Sequence, residues 1–314
     1  MTKKIIARIS NGLGNQMFLY ASSFAISKKL NRSLELDIFS GIENLKKKNL
    51  KRKFKHFNPK FELKIFNITS RIIEKKFCFI SFFKKLERKI LIFLDIFKTK
   101  KKFIIEHRNK KKITYYKNDY DNIKLDDVVY IEGFFESEKY FIDFRKEILK
   151  EFSFYKKIKC LKKFEEVILN TNSVSMSIRA DRYSETYADD IDNSKIQNSL
   201  NHEKKQYDFI LRSISYFKKN ISNPKFFIFS DNPDKISNLF SENKDVIIIN
   251  QFYQNKVYED FYLMCKCKHF AVGPTAFHFW PAWLSEYSNK ICVRPKDMNV
   301  SNNVDYWPIS WKKI

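Results

Sequence analysis

From Ser173 onward the chain repeats one pattern, a short apolar run followed by an amphipathic one, and few folds accommodate it. Ser173–Ile178, Phe226–Ser230, Val246–Ile249, Phe270–Val272 and Ile291–Arg294 read as buried strands. After a polar loop at Ser184–Asn201, His202–Lys219 places Tyr207, Ile210, Leu211, Ile214 and Phe217 along a helical face, and Glu259–Lys268 reads as another helix. Apolar strands separated by helices predict a mostly parallel sheet covered on both faces. In such sheets ligands bind outside the carboxyl ends of the strands. Arg179, Asp231 and the turn Gly273–Phe277 each fall at such an end. Three sequence-distant polar sites are therefore expected to converge on one crevice suited to a nucleotide or phosphate.

The turn is the densest of these signals. Val272–Leu284 reads V-G-P-T-A-F-H-F-W-P-A-W-L, a strand, a tight turn and the start of a helix. Backbone N–H groups and the positive end of the helix dipole at such a start suit an anion. A well-packed helix start in a core reads the same way. Pro281 is expected in the first helical turn, where its missing N–H costs nothing.

Upstream, Ile5–Ile9 reads as a strand, Asn11–Asn15 (N-G-L-G-N) as a turn, Gln16–Leu30 as a helix and Ser33–Asp37 as a second strand. The glycines of that turn allow positive φ and close approach. Two of them do not make the dinucleotide fingerprint. Val128–Phe135 returns to strand character, and Ser137 is expected to cap a helix running through Glu151. Ser153–Lys163 reads as the crossing between two domains, 1–155 and 156–314.

The net charge of +24 over 314 residues favours anionic partners: nucleic acid, a membrane surface or nucleotide phosphates. Much of it sits in a basic insertion at about 43–117, with the runs Lys46–Lys55 and Lys98–Lys102. Between these, Phe77–Phe97 alternates apolar clusters with charge, too often to span a bilayer, which takes about 20 mostly apolar residues. It is expected to be helical, either laying a basic face on an anionic membrane or carrying a solvated lysine face. No zinc-finger spacing and no strand aromatic signature is present, so no nucleic-acid partner is expected. The five cysteines, Cys78, Cys160, Cys265, Cys267 and Cys292, show no paired spacing and point to a reduced compartment. Cys265-x-Cys267 reads as packing rather than as metal ligands. Met1–Lys4 leads directly into the first strand, so no secretory signal is expected, and the chain is placed in the cytoplasm, peripheral at the inner face of the membrane.

Four stretches carry a resemblance. Asn11–Ala21, N-G-L-G-N-Q-M-F-L-Y-A, resembles the signature G-G-L-G-N-Q-M-F-Q-Y-A of the bacterial α-1,2-fucosyltransferases, glycosyltransferase family 11. Glu132–Phe141 resembles that family's G-Y-F-Q-S-E-K-Y-F segment, and Phe227–Asp231 its strand ending in Ser-Asp. Asp260–Leu284 is similar to its D-L-Y-L-M-S-x-C-K-H…S-T-F-S-W-W-x-A-W-L, with His278-Phe279 in place of Ser-Trp. The likeness runs from residue 5 to about 295, outside 43–117. One motif departs. The family's H-x-R-R-x-D-Y reads S-I-R-A-D-R-Y at Ser177–Tyr183, so Arg179 and Tyr183 match while Ser177, Ala180 and Arg182 replace the histidine, the second arginine and the acid.

The resemblance implies an α/β, GT-B-like fold, two Rossmann-like domains facing across a cleft, with the basic helical insertion in the first. It implies a galactoside α-1,2-fucosyltransferase that moves L-fucose from GDP-fucose, with inversion, to galactose O2 of a cell-surface glycan precursor. No cofactor and no metal are required. Asp189-Asp190-x-Asp192, in the polar loop, is read as non-ligating. On this reading Arg179 meets the charge developing on the β-phosphate, to which its planar fork is suited. The backbone of Thr275, Ala276 and Phe277 supplies N–H donors. Asp231 reads the guanine edge, with a helix N-cap as its alternative. Asn15 and Gln16 sit near the sugar or β-phosphate, or else form a capping pair, and Ser177 lines the donor site in place of the histidine. The general base stays open between Asp181, Glu185 and Asp37. Two other readings stand beside this one: a relative with a changed donor or acceptor, and a non-catalytic glycan- or nucleotide-binding protein.

Overall fold

The computed structural model describes residues 3–52, 59–118, 120, 124–156, 162–180, 193–249, 257–298 and 302–314. They fall into two compact units. Described residues up to 156, together with 302–308, form the first, and 162–298 with 309–314 form the second.

The first unit runs β1 (Lys4–Arg8), α1 (Leu13–Lys29), β2 (Ser33–Asp37), α2 (Ser40–Arg52), β3 (Arg71–Ile72), α3 (Phe82–Asp95), β4 (Lys101–Ile105), β5 (Leu125–Glu132) and α4 (Arg145–Glu151). Its strands form one parallel sheet in the order β3-β2-β1-β5-β4. The central strand β1 buries Ile5, Ile6 and Ala7 completely, as a strand covered on both faces must. Helix α1 is buried on nearly every side from Leu13 to Ser27, with only Asn15 of that run half-buried. Its mix of small and apolar residues suits an interior helix.

The second unit runs α5 (Lys162–Asn170), β6 (Asn172–Ile178), α6 (Asn193–Asn220), β7 (Pro224–Ser230), α7 (Pro233–Ser237), β8 (Val246–Ile248), α8 (Val257–Lys266), β9 (His269–Ala271), α9 (Ala276–Leu284), β10 (Cys292–Arg294) and β11 (Lys312–Lys313). Its sheet is also parallel, ordered β11-β10-β9-β6-β7-β8. Along β6, Val174, Met176 and Ile178 enter a core with Phe209, Ile210 and Phe217 of α6. Ser173, Ser175 and Ser177 alternate to the opposite face, because successive side chains of a strand point to opposite sides. Two parallel sheets dressed with helices make this an α/β, GT-B-like fold.

Several local expectations change. The stretch 43–117 holds more than helix, since β3 and β4 form the two edges of the first sheet. Edge strands have a neighbour on one side only, and these are short and basic, which hides their period-two signal. Helix α6 begins at Asn193, inside the stretch read as loop. Ser137 caps a single 3-10 turn, Glu138–Tyr140, and α4 starts only at Arg145. Residues 302–308, beyond the expected boundary, return to the first unit: Thr114 N–H donates to the Asn302 carbonyl at 3.0 Å, and buried Tyr306 packs on Phe18. No helix among the described residues is long and apolar enough to cross a membrane.

Candidate active site

In the second unit β6 pairs with β7 on one side and with β9 on the other. The sheet therefore sets three carboxyl ends next to one another. The first two carry an acid and a base. Asp231, just past β7, accepts the Ala180 N–H on Oδ1 at 2.6 Å, and its Oδ2 lies 3.6 Å from Arg179 Nε. One carboxylate thus ties the end of β6 to the end of β7 and steadies the guanidinium. The Arg179 side chain remains 41% exposed. The capping alternative for Asp231 does not apply, because Asn232 caps α7 by accepting the Lys235 N–H at 3.2 Å.

Arg179 is also fixed through its backbone. Gln206 of α6, fully buried, accepts the Arg179 N–H on Oε1 at 3.1 Å and donates from Nε2 to the Arg179 carbonyl at 3.2 Å. Sequence reading passed over Gln206. The available signal was a polar residue in the apolar stripe of α6, in helical phase with Ile210 and Phe217. Lys235 Nζ adds a bond to the Ala180 carbonyl at 3.2 Å while pairing with Glu203 at 2.7 Å.

The third end is the turn after β9. Gly273 is required there, because a Cβ would lie 2.6 Å from His278 Nδ1 and 3.2 Å from the Ser177 carbonyl. Thr275 caps α9, its Oγ1 accepting the His278 N–H at 3.2 Å. The Thr275 N–H is itself bonded to the Gly273 carbonyl at 2.8 Å, so it is not a free donor as expected. The Ala276 and Phe277 N–H groups meet no acceptor among the described residues. Because the cap starts α9 at Ala276, Pro281 falls inside the helix rather than in its first turn. Ser177 is buried beneath this turn. Asp181, Arg182, Tyr183, Glu185 and the acids at 189–192 lie outside the described residues.

The corresponding residues of the first unit are engaged internally. Gln16, with no exposed surface, donates from Nε2 to the carbonyls of Asn11 and Lys60 at 2.8 and 2.7 Å and accepts the Glu62 N–H on Oε1 at 2.9 Å. Its neighbour Asn15 sits in the first turn of α1. Asp37, also wholly buried, accepts the Phe39 and Ser40 N–H groups on Oδ1 at 3.0 and 2.8 Å, capping α2. Glu132, at the end of β5, takes Arg88 on both oxygens and lies 3.5 Å from Arg8 Nε at the end of β1. Burial pulls the Arg8 guanidinium down from its ordinary range, and Glu132 opposes that pull. The left-handed position of the N-G-L-G-N turn belongs to Asn11 at φ 65°, while Gly12 has φ −84°.

The profile of Glycosyl transferase family 11 matches residues 4–304. The chain belongs to this family. This family 11 glycosyltransferase is 28% identical over 322 aligned residues to the alpha-1,2-colitosyltransferase of Escherichia coli, covering 99% of this chain and 98% of that one. It is 26% identical over 312 residues to the O-antigen biosynthesis glycosyltransferase WbnK, also of Escherichia coli, covering 94% and 95%. Among solved structures, an Arabidopsis thaliana FUT1 mutant in complex with GDP shares the fold at a TM-score of 0.50 and 13% identity, over 95% of this chain and 72% of that one. The fucosyltransferase NodZ from Bradyrhizobium aligns with a TM-score of 0.47 and 12% identity, over 91% and 94%.

Proposed function

We propose that this glycosyltransferase moves L-fucose from GDP-fucose, with inversion and without a required metal, to galactose O2 of a cell-surface glycan precursor. The observation that carries the reading is the partly exposed Arg179 side chain, held by Asp231 and, through the backbone, by Gln206, at a strand end flanked by the turn whose Ala276 and Phe277 N–H groups meet no acceptor among the described residues. Departure of GDP builds negative charge on the β-phosphate as the fucose ring gains oxocarbenium character. A planar guanidinium and preorganised N–H donors meet that charge. Asp231 accepts the Ala180 N–H on one oxygen and faces Arg179 with the other, so it positions Arg179, and its remaining lone pairs keep acceptor capacity for the guanine edge. The general base removes the acceptor proton. Asp37 is wholly buried, with Oδ1 taken by the Phe39 and Ser40 N–H groups, whereas Asp181 and Glu185 both lie in the stretch that follows Arg179 and are the preferred candidates.

A second reading, transfer of colitose, is favoured by the 28% identity to the colitosyltransferase over nearly the whole chain. The altered Ser177–Arg182 stretch fits a changed donor. Calorimetric titration with GDP, UDP and CDP in the presence of a chelator, followed by incubation of galactosides with GDP-fucose or a colitosyl donor, separates the readings. GDP binding and fucose transfer without metal are the expected results. Turnover of the colitosyl donor alone selects the second reading. Nucleotide binding with no turnover of either donor leaves a binding protein, and no preference for GDP overturns the donor assignment.

A further inference from the structure

Helix α3 is anchored on one face and apolar on the other. Toward the first unit, Arg88 pairs with Glu132, and Leu91 and Ile92 pack on the cluster around Ile6, Phe79 and Tyr130. The buried Asp95 carboxylate accepts the Lys102 and Phe103 N–H groups at 2.7 and 3.0 Å, and Lys101 Nζ closes the helix end on the Asp95 and Ile96 carbonyls. Arg88, Ile92 and Asp95 recur at helical spacing and define the inward face. Leu86, Ile90, Phe93 and Phe97 recur at the same spacing on the opposite side. They are exposed, and Phe82 and Phe83 extend the stripe at 76% and 79% exposure.

This arrangement reverses the ordinary surface helix, whose outward face is polar. It also differs from both sequence expectations, since neither a basic nor a solvated lysine face looks outward. Contiguous exposed apolar surface of this kind marks an interaction site. Its occupant is indicated by charge. Lys89, Lys98 and Lys100 are exposed along the flank and end of the stripe, while Lys84 pairs with Glu87 at 2.7 Å, in a chain of net charge +24. A second copy of the chain would bring the same lysines and the same charge to the contact. An anionic bilayer accepts both parts: rings enter the boundary between headgroups and acyl chains, and lysines stay at the phosphates.

We propose that α3 is a membrane-docking helix, lying in the plane of an anionic lipid surface with its phenylalanine stripe inserted. The test is co-flotation of the full chain with phosphatidylcholine vesicles, with and without about one third phosphatidylglycerol. It needs neither donor nor acceptor, so it stands apart from the proposed reaction. The intact chain floats with the anionic vesicles. Phe83→Ser, Phe93→Ser and Phe97→Ser combined lower its partitioning by at least about tenfold. Lys89→Gln, Lys98→Gln and Lys100→Gln combined lower it less, and that difference disappears in high salt. All six side chains are exposed, and a thermal melt checks that each variant folds. Single Phe83→Ser and Phe97→Ser variants, each expected to lose part of the binding, stand in if the triple does not fold. Equal partitioning of intact and phenylalanine-depleted chains overturns the proposal, as does equal binding of the intact chain to neutral and anionic vesicles. A chain that ignores vesicles but forms dimers abolished by the phenylalanine substitutions also overturns it, making the stripe a contact between copies.

Discussion

The carboxyl edges of the two sheets are built from similar parts and spend them differently. In the first unit Arg8, Asp37, Glu132 and Gln16 are all turned on neighbours within the unit, as ion pairs, a cap and a clamp. In the second, Arg179 is held from behind by Gln206 and Asp231 while its side chain stays 41% exposed. Polar residues at strand ends are thus of two kinds. Those of the first edge are mostly closed off within their unit, and Arg179 of the second is held in place with part of its side chain still open to solvent.

Substitutions can break that distinction. The largest expected effect is from Arg179→Ala, which lowers kcat by a factor corresponding to about 3 kcal/mol of lost transition-state stabilisation and leaves the melting temperature unchanged. Steady-state kinetics beside a thermal melt reads both, and undiminished turnover removes Arg179 from the mechanism. Gln16→Ala is expected to do the reverse. It strands two carbonyls and an N–H in a buried place, costing about 2 kcal/mol of stability, while turnover well below the melt is retained. Lost turnover without lost stability would make the first edge a site after all.

The smallest effect concerns pH. Burial, aided by Glu259, pushes the Asp260 carboxyl in α8 up to about 7. Its folded value lies above its unfolded one. The stability it contributes is therefore full below the usual carboxylate range and is lost as pH rises toward 7. Burial pulls His269 down to about 4, so its contribution runs the other way, present at neutral pH and lost as pH falls through about 4. The two slopes oppose each other in the intact chain. Asp260→Asn unmasks the histidine, and the melting-temperature difference between this variant and the parent should grow from pH 4 to 7 and then level. A difference independent of pH would refute the assignment.

The strand ends of the second unit were legible because β6, β7 and β9 are apolar runs, and whatever polar residue follows such a run stands at the sheet's edge. Asn11 shows a limit of that reading. Asparagine and glycine both tolerate the left-handed region, so Asn11 can hold this position where the resembled signature has glycine, and the positive φ falls on a residue that glycine counting overlooks. Gln16 shows another. A motif marks that a residue matters and leaves open whether it binds a ligand or the backbone across from it. Partners such as Lys60 and Glu62, or Gln206 for Arg179, are distant in sequence, and no local pattern announces them. The direction of α3 was hidden for a related reason: a stretch with apolar residues on two faces does not say which face meets the core.

Tyr306, wholly buried against Phe18, and Asn303, whose amide donates to the Glu136 carbonyl at 2.8 Å, belong to a segment encoded after nearly all of the second unit. During synthesis the first unit therefore emerges from the ribosome without them and waits, its Phe18 side uncovered, until the second unit has been translated. Stopping translation between the two units yields no finished half, and a gene split at that boundary would have to supply residues 302–308 to the first product.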